Sequence, residues 1–186
     1  MDKIGYMGIR GSFSEIAAEI FVDRNKMQNV ELVPLVCSQN ILDAMRAGEV
    51  QYGVLGVENS TVGAVSEFVQ AFWGVTYDIL DEYVLPVHHC LFKRKDVSEE
   101  ELTHVASHPQ AIGQTVLTRA ARWPHLIPIE VEDTALAAEW VANGTLSPQT
   151  AVICNVNGGR IWDLDMVAEN IEDYSENRTK FYLLKL

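Results

Sequence analysis

The sequence predicts an α/β protein with mainly parallel sheets, and three observations support this. Segments with the apolar pattern of strands alternate with segments of helical periodicity along almost the whole chain. Consecutive strand–helix units of this kind give parallel strands that helices cover. The length of 186 residues and the hydrophobic content of 48% are enough to bury a core, as one domain or as two small lobes.

In the first half of the chain, each predicted strand precedes a helix. The predicted strands are 3–8, 30–36 and 52–57. The first helix is expected over 14–24, while Ser38 can cap the second helix and Gly48 can end it. The third helix should follow Asn59 and Ser60. Its apolar face comprises Val65, Phe68, Val69 and Phe72.

A long extended stretch over 76–92 opens the second half and should contain two strand segments. Charged residues lie near its middle, as expected where a chain crosses between two lobes. The acidic stretch 96–101 is expected to be a loop or a helix start. Further strands are predicted at 104–107, 127–131, 151–154 and 179–184. Helices are predicted over 109–122, with Pro109 in the first turn, and over 133–143.

The formal net charge of −12 limits the partners of this protein. Such a surface repels nucleic acid and anionic lipid, so neither nucleic acid nor a membrane is an expected partner. The three cysteines, Cys37, Cys90 and Cys154, form no C-x-x-C motif, which argues against a disulfide framework and a zinc site. The N-terminus has no signal-peptide pattern and no apolar run is long enough to span a membrane, so a cytoplasmic protein is expected.

Polar residues collect where predicted strands meet helices, and parallel sheets bind ligands at such ends. The polar clusters are 8–14, 58–61, 107–110 and, on the last strand, 177–181. In the first cluster, glycines let backbone N–H groups approach a ligand, and Ser12 and Ser14 add hydroxyls at a helix start. Each cluster alone has a plain alternative, which is a helix cap, a tight turn or, for the last, a charged edge strand.

Together and in this order, the clusters resemble the prephenate dehydratase family. The opening motif is GYMGIRGSFS at 5–14, and the Glu-Asn-Ser motif lies in YGVLGVENSTVG at 52–63. The stretch HHCL follows at 88–91, and SHPQ at 107–110 has Ala111 and Gln114 also in pattern. The ending is NRTKF at 177–181, preceded by ENIED at 169–173. The resemblance covers essentially the whole chain.

The chain departs from the family pattern at four positions. Lys180 stands where the family has Arg, and a lysine keeps the charge but lacks the planar fork that suits a carboxylate. Gly56 and Ile9 stand where the family has Pro, and Ser12 stands where it has Thr. The chain ends shortly after Phe181, so we expect the catalytic domain alone, without the ACT regulatory domain or the chorismate mutase domain of other members.

The resemblance implies a two-lobe architecture like that of type II periplasmic binding proteins, with the active site in the interlobe cleft. Lobe 1 would comprise 1–80 and 165–186, and lobe 2 would comprise 81–164. The two lobes together would form one catalytic domain.

The activity that the resemblance implies is that of a carbon–oxygen lyase of phenylalanine biosynthesis, which converts prephenate to phenylpyruvate with loss of carbon dioxide and water. Aromatisation drives the reaction, so the enzyme needs a positioned proton donor for the leaving hydroxyl and groups that bind anions. No metal or organic cofactor is required. A homodimer is the implied assembly.

Thr179 and Glu58 are the implied catalytic residues. A threonine hydroxyl is a very weak acid, so Thr179 would act by hydrogen bonding or through a relay, whereas Glu58 would supply a proton if burial favours its protonated form. The other residues would bind the carboxylates and the keto group, with Lys180 as the counter-charge. The implied substrate-binding residues are Ser12, Phe13, Ser14, Asn59, Ser60, Thr61, Ser107, His108, Gln110, Lys180 and Phe181.

Two other functions remain open at this point. A prephenate decarboxylase would remove carbon dioxide and keep the hydroxyl, but relatives of that kind have lost the terminal Thr-Arg-Phe, whereas Thr179 is retained here. A non-catalytic domain that binds a small carboxylate is the second alternative. Among the remaining residues, we expect the four tryptophans in the core or at a lobe interface, and one of His88 and His89 facing inward.

Overall fold

The computed structural model describes all 186 residues and contains eleven strands and seven α-helices. The strands are β1 (Asp2–Tyr6), β2 (Val30–Pro34), β3 (Tyr52–Asn59), β4 (Gly63–Ala64), β5 (Asp78–Pro86), β6 (Cys90–Lys93), β7 (His104–Ser107), β8 (Ile127–Glu130), β9 (Thr150–Cys154), β10 (Asp165–Ala168) and β11 (Arg178–Lys185). The helices are α1 (Phe13–Arg24), α2 (Ser38–Arg46), α3 (Ser66–Phe72), α4 (Pro109–Gly113), α5 (Val116–Arg122), α6 (Thr134–Asn143) and α7 (Val156–Ile161).

The chain divides into two compact units, which differ from the predicted lobes at both crossings. Unit 1 comprises Met1–Val87 and Glu176–Leu186, and unit 2 comprises His88–Ser175. The predicted boundary after residue 80 is too early because β5 stays paired with β11 as far as Pro86. The predicted boundary at 165 is also too early because β10 pairs with β6 of unit 2.

Unit 1 is built on a sheet with the strand order β2-β1-β3-β11-β5, to which β4 adds by pairing with β3. Strands β1, β2 and β3 are parallel, as the strand–helix alternation predicts. Strand β11 comes from the far end of the chain and runs antiparallel to both β3 and β5. The carboxyl ends of β1, β2 and β3 and the start of β11 therefore share one edge of the sheet.

Helices cover both faces of the unit 1 sheet. On one face, α1 packs Phe21 against Val54 and Phe181. On the other face, α2 and α3 pack residues such as Ile41 and Phe68 in the cluster that contains Leu55. Successive strand residues such as Val54 and Leu55 thus point to opposite faces, as the period of a strand requires.

Unit 2 has a five-stranded sheet in the order β10-β6-β9-β7-β8. Strands β7, β8 and β9 are parallel, whereas β6 runs antiparallel to β9 and to β10. The core lies on both faces of this sheet, with Val105 and Ile153 in one cluster and Phe92 and Val152 in the other.

The single helix predicted over 109–122 is two helices, α4 and α5. Thr115, between them, leaves the helical conformation with φ −126° and ψ 15°. The Asp173 carboxylate accepts the backbone N–H groups of Leu117 and Thr118, so a side chain distant in sequence caps the new helix start. Local periodicity could not show this cap.

Other differences lie in short elements. The prediction missed α7 and β10, and it ended β3 two residues early. As expected, one of the adjacent histidines faces inward, because His89 is 3% exposed and the side chain of His88 is 50% exposed. Trp123 is buried, but the expectation is wrong for Trp73, which is 83% exposed. No helix is both long and apolar enough to cross a membrane.

Gly159 in α7 provides a test of the packing of unit 2. A Cβ atom at this position would lie 2.4 Å from the ring of the buried Phe92. We expect Gly159→Ala to lower the free energy of unfolding by about 3 kcal/mol, because a close-packed core resists added volume. Gly113→Ala, where a Cβ meets nothing within 4 Å, is the matched control and should leave stability equal or raised by up to about 1 kcal/mol. Urea denaturation measures both; equal stabilities would contradict this packing.

Candidate functional site

Two distant segments of the chain meet at the polar edge of the unit 1 sheet. Strand β3 ends at Asn59, which pairs with Thr179 near the start of β11. The Asn59 Nδ2 atom lies 2.9 Å from Thr179 Oγ1 and 3.0 Å from Asn177 Oδ1. Asn59 and Asn177 are 4% and 1% exposed, so this amide network is held inside the protein while Thr179 is only partly buried.

The direction of the hydrogen bonds follows from the Asn59 amide. Its oxygen accepts from the Thr61 N–H at 2.9 Å, the Thr61 hydroxyl at 2.6 Å and the Val62 N–H at 3.3 Å. Because backbone N–H groups can only donate, the Asn59 NH₂ must be the group that faces Thr179. Thr179 Oγ1 therefore accepts from Asn59, and its own proton remains available for a ligand.

The alternation of side chains along β3 and β11 separates Thr179 from the neighbouring charges, and a β-bulge follows directly. Lys180 pairs with Glu58, whereas Phe181 pairs with Gly56, so Val57 is the extra residue of β3. Thr179 shares a face with Phe181: a Cβ at Gly56 would lie 3.3 Å from the Thr179 methyl and 3.4 Å from the Phe181 ring. Lys180, one residue along the strand, points to the opposite face.

Lys180 and Glu58 form a loose pair on that opposite face. The Lys180 Nζ lies 3.9 Å from Glu58 Oε2, and the two side chains are 33% and 61% exposed. The burial that a proton-donating role for Glu58 assumed is therefore absent. The short distance from Lys180 to Thr179 in sequence does not bring the two functional groups to the same side of the sheet.

The glycine-rich turn after β1 begins α1 and is fixed by hydrogen bonds. Gly8 and Gly11 adopt φ of 87° and 90°, a conformation that side chains disfavour. The Ser12 hydroxyl caps α1 by accepting the Glu15 N–H at 3.3 Å and lies 3.4 Å from the Met7 carbonyl oxygen. Ser12 is thus occupied as a cap.

Glu15 is a residue of this turn that the sequence analysis missed. Its carboxylate accepts the Gly11 N–H at 2.6 Å and the Tyr6 hydroxyl at 3.1 Å. Burial, and then the Glu15 charge, raise the pKa of Tyr6 well above its usual value. The spacing Ser-x-x-Glu of Ser12 and Glu15, typical of a capping box, is the signal that could have found Glu15.

The remaining candidate residues of unit 1 are either hydrogen-bonded within the protein or packed in its core. The Ser60 hydroxyl donates to the Glu176 carbonyl and accepts the Arg178 N–H, both at 2.9 Å, so it joins the two segments. Ser14 is 6% exposed. Phe13 and Phe181 both belong to the apolar cluster under α1. In this structure Ser60 therefore holds two segments together by hydrogen bonds, and Phe13 and Phe181 stabilise the core.

In unit 2, the predicted residues lie at the end of β7 and directly after it. The buried Ser107 hydroxyl donates to the Ile153 carbonyl at 2.6 Å. His108 caps α4 because its Nδ1 accepts the Gln110 N–H at 3.1 Å, so in the neutral ring Nε2 carries the proton. The Gln110 side chain is exposed and makes no hydrogen bond within the protein. His108 and Gln110 thus offer donors that could bind a carboxylate.

Several polar residues at this end of the unit 2 sheet escaped the sequence analysis. Asp133 caps α6, and burial raises its pKa although two backbone N–H groups bind it. Asn155 caps α7 by accepting the Gly158 N–H at 2.8 Å. Their signal is an Asp or Asn directly before a helical pattern.

His89 and Glu172 form a second missed group in unit 2. The His89 Nε2 lies 2.8 Å from Gln114 Oε1, and burial lowers the pKa of His89. The Glu172 carboxylate is 3% exposed and contacts His88 Nδ1 at 2.7 Å and the His89 N–H at 2.9 Å. No group of three or more His, Cys, Asp or Glu side chains has the arrangement of a metal site.

Comparison of the sequence with known proteins gives long matches. A family model described as prephenate dehydratase matches residues 4–186. A prephenate dehydratase of Lactococcus lactis is 33% identical over 183 residues, which are 98% of this chain and 63% of that protein. Arogenate dehydratase 1 of Petunia hybrida is 34% identical over 182 residues, 98% of this chain and 42% of that protein. The chain thus spans less than two thirds of the length of these relatives.

Comparison of the structure agrees with the sequence matches. A prephenate dehydratase from Arthrobacter aurescens, solved in complex with L-Phe, has a TM-score of 0.87 at 24% identity and covers 98% of this chain and 59% of that one. A periplasmic substrate-binding protein from Coxiella burnetii has a TM-score of 0.53 at 12% identity, covering 98% and 84%. The predicted α/β fold and its likeness to periplasmic binding proteins are confirmed. From the near-complete sequence matches it follows that the chain belongs to the prephenate dehydratase family.

Proposed function

We propose that this protein dehydrates and decarboxylates prephenate to phenylpyruvate, as a carbon–oxygen lyase of phenylalanine biosynthesis. The observation that supports this best is the Thr179 hydroxyl, whose oxygen accepts a hydrogen bond from the buried Asn59 amide. An oriented O–H donor that needs no reorganisation is what a departing hydroxyl group requires. Membership of the family supports the choice of substrate.

The reaction needs one proton and no oxidant. The bond between the ring and its carboxylate breaks, and its electron pair enters the ring as carbon dioxide leaves. The bond from the opposite ring carbon to the hydroxyl breaks, and the departing oxygen takes up a proton and leaves as water. Thr179 would donate a hydrogen bond to that oxygen and relay a proton from solvent, because a threonine hydroxyl is too weak an acid to lose its own proton outright.

A catalytic role for Glu58 remains a proposal with weaker support than that of Thr179. Its carboxyl group is 61% exposed and lies on the other face of β3. For the substrate-binding set, the exposed Gln110 amide and the His108 imidazole have the clearest free donors. Ser12, Ser60 and Ser107 would bind substrate only through the second lone pair or a rearranged hydroxyl.

Arogenate is a second candidate substrate. The similarity to arogenate dehydratase 1 of Petunia hybrida, at 34% identity, favours testing it. Arogenate carries an ammonium group where prephenate carries a keto oxygen, so the two substrates need groups of opposite polarity at that end. Comparing kcat/KM for the two substrates decides between them.

We further propose that the enzyme is a cytoplasmic homodimer. Exposed apolar residues of unit 1 support self-association, in particular Trp73, Ile79, Leu80 and Val84, the last three on the edge strand β5. Sedimentation equilibrium should give twice the chain mass of 20.8 kDa. A single species of 20.8 kDa would contradict the dimer.

The reaction itself is tested by supplying prephenate to the purified protein at neutral pH. Phenylpyruvate, detected by its absorbance in alkali, is the expected product. Consumption of prephenate with a non-aromatic product would instead indicate decarboxylation alone. Untouched prephenate would contradict the proposed activity and leave a binding domain.

The Thr179 hydroxyl is tested by Thr179→Val, which keeps the shape of the side chain. We expect kcat to fall about 100- to 1000-fold with KM changed less than about threefold, because the hydrogen bond strengthens mainly in the transition state. Thr179→Ser restores the hydroxyl and should stay within about tenfold of the wild-type rate. Steady-state kinetics measure all three, and an active Thr179→Val would remove Thr179 from the mechanism.

The orientation of that hydroxyl is tested by Asn59→Asp. A carboxylate cannot donate, so Thr179 would turn its proton toward residue 59, and we expect kcat to fall about 100-fold. Unfolding should become easier by about 1–3 kcal/mol, because the Asn177 oxygen loses its donor. Asn143→Asp is the matched control: the Asn143 oxygen also accepts from a Thr N–H and hydroxyl two residues on, at Thr145. A wild-type rate in Asn59→Asp would show that Asn59 does not direct the proton.

A further inference from the structure

The substrate of the proposed reaction carries two carboxylates, yet the Thr179 face of the sheet has no cation from the terminal motif. Lys180 points to the other face and lies 3.9 Å from Glu58. Arg178 is paired with Glu176 at 2.8 Å. In a protein of net charge −12, an anionic ligand on the Thr179 face needs positive charge from another segment.

The turn after β1 lies at the same end of the unit 1 sheet as Thr179 and leads to the face that carries Thr179. It follows β1, and the strand order β1-β3-β11 puts it two strand spacings, about 10 Å, from the start of β11. It leads into α1, which packs on the face that Thr179 shares with Phe181. In prephenate both carboxylates branch from the ring carbon opposite the hydroxyl. A cation that binds them must therefore stand off from Thr179 by the width of the ring.

Arg10 is the cation on this turn. Its side chain is exposed and makes no hydrogen bond or ion pair within the protein. The Glu15 carboxylate accepts the Gly11 N–H and the Tyr6 hydroxyl, and it forms no ion pair with Arg10. Arg10 is thus a free guanidinium in an acidic protein.

The backbone that carries Arg10 is held on both sides. The Gly8 N–H donates to the Val36 carbonyl at 2.8 Å, and the Val36 N–H donates to the Gly8 carbonyl at 3.2 Å. The Gly11 N–H is bound by Glu15 at 2.6 Å. Because the backbone is already fixed, the ordering cost of binding an anion here is limited to the Arg10 side chain itself.

Most other surface cations already have a partner. Each of the following lies within 4.0 Å of a carboxylate: Lys3, Arg24, Lys93, Arg94, Lys95 and Arg178. Arg46, in the last turn of α2, is an exposed cation that forms no ion pair. It provides a matched control of equal charge in the same unit.

We propose that Arg10 binds a substrate carboxylate and supplies the planar guanidinium that Lys180 does not provide. The inference rests on the proposed function and adds a residue to the substrate-binding set. A guanidinium can hold a carboxylate through two parallel hydrogen bonds, which a lysine cannot do. The bound anion would be held at the β1 turn while Thr179 contacts the departing hydroxyl.

The test compares Arg10→Gln, Arg10→Lys and Arg46→Gln with the wild type, using prephenate. We expect Arg10→Gln to raise KM about 10- to 100-fold, as the loss of a charged hydrogen-bond pair does, with kcat within about threefold. Arg10→Lys should lie between it and the wild type, and Arg46→Gln should match the wild type. Raising the salt concentration should increase the wild-type KM more than that of Arg10→Gln.

Calorimetric titration with prephenate, in a Thr179→Val background whose turnover is greatly slowed, supplies a readout of binding that does not rest on a catalytic rate. Weaker prephenate binding by the double variant Thr179→Val, Arg10→Gln than by Thr179→Val alone supports the proposal. Equal binding with and without Arg10, in a protein whose wild type makes phenylpyruvate, overturns the role of Arg10 and leaves the function intact. If the wild type neither converts nor binds prephenate, the proposed function is wrong. The proposal that Arg10 binds a substrate carboxylate is then wrong as well.

Discussion

The antiparallel pairing of β11 with β3 and β5 is the contact on which unit 1 depends. It inserts a strand from the end of the chain between two strands of the first half, and so completes the sheet that α1, α2 and α3 cover. The same pairing sets Thr179 opposite Asn59, two residues separated by 120 positions. The stability of the sheet and the geometry of the site therefore arise from one set of backbone hydrogen bonds.

The alternation of side chains along β3 and β11 gives that pairing its chemical consequence. It leaves the amide and the hydroxyl on one face and the two charges, Glu58 and Lys180, on the other. The bulge at Val57 then shifts the register by one residue, so that Gly56 pairs with Phe181. The sequence analysis assigned Glu58, Asn59, Thr179 and Lys180 to one site, because these residues are neighbours within two motifs of the sequence. The structure separates a neutral, partly buried hydrogen-bonding pair from a partly exposed ion pair. In our proposal, the positive charge for a ligand therefore comes from the turn after β1.

Family membership and the geometry bear on different parts of the function. The matches over nearly the whole chain establish the family and the fold. They do not say which cation of this chain binds an anionic substrate. The ion pairs of unit 1 bear on this point, because Arg10 has no carboxylate partner whereas Lys180 lies near Glu58.

The sequence by itself determined the α/β class, because apolar periodicity is a local property and survives in any context. It also located the polar segments that contain Ser12, Asn59, His108 and Thr179. Only the tertiary structure decided which of those polar groups serve as caps, since caps such as Asp173 on α5 come from distant residues. It also decided where the chain crosses between the units and which face each side chain takes, because strand register follows from pairing and not from sequence neighbours.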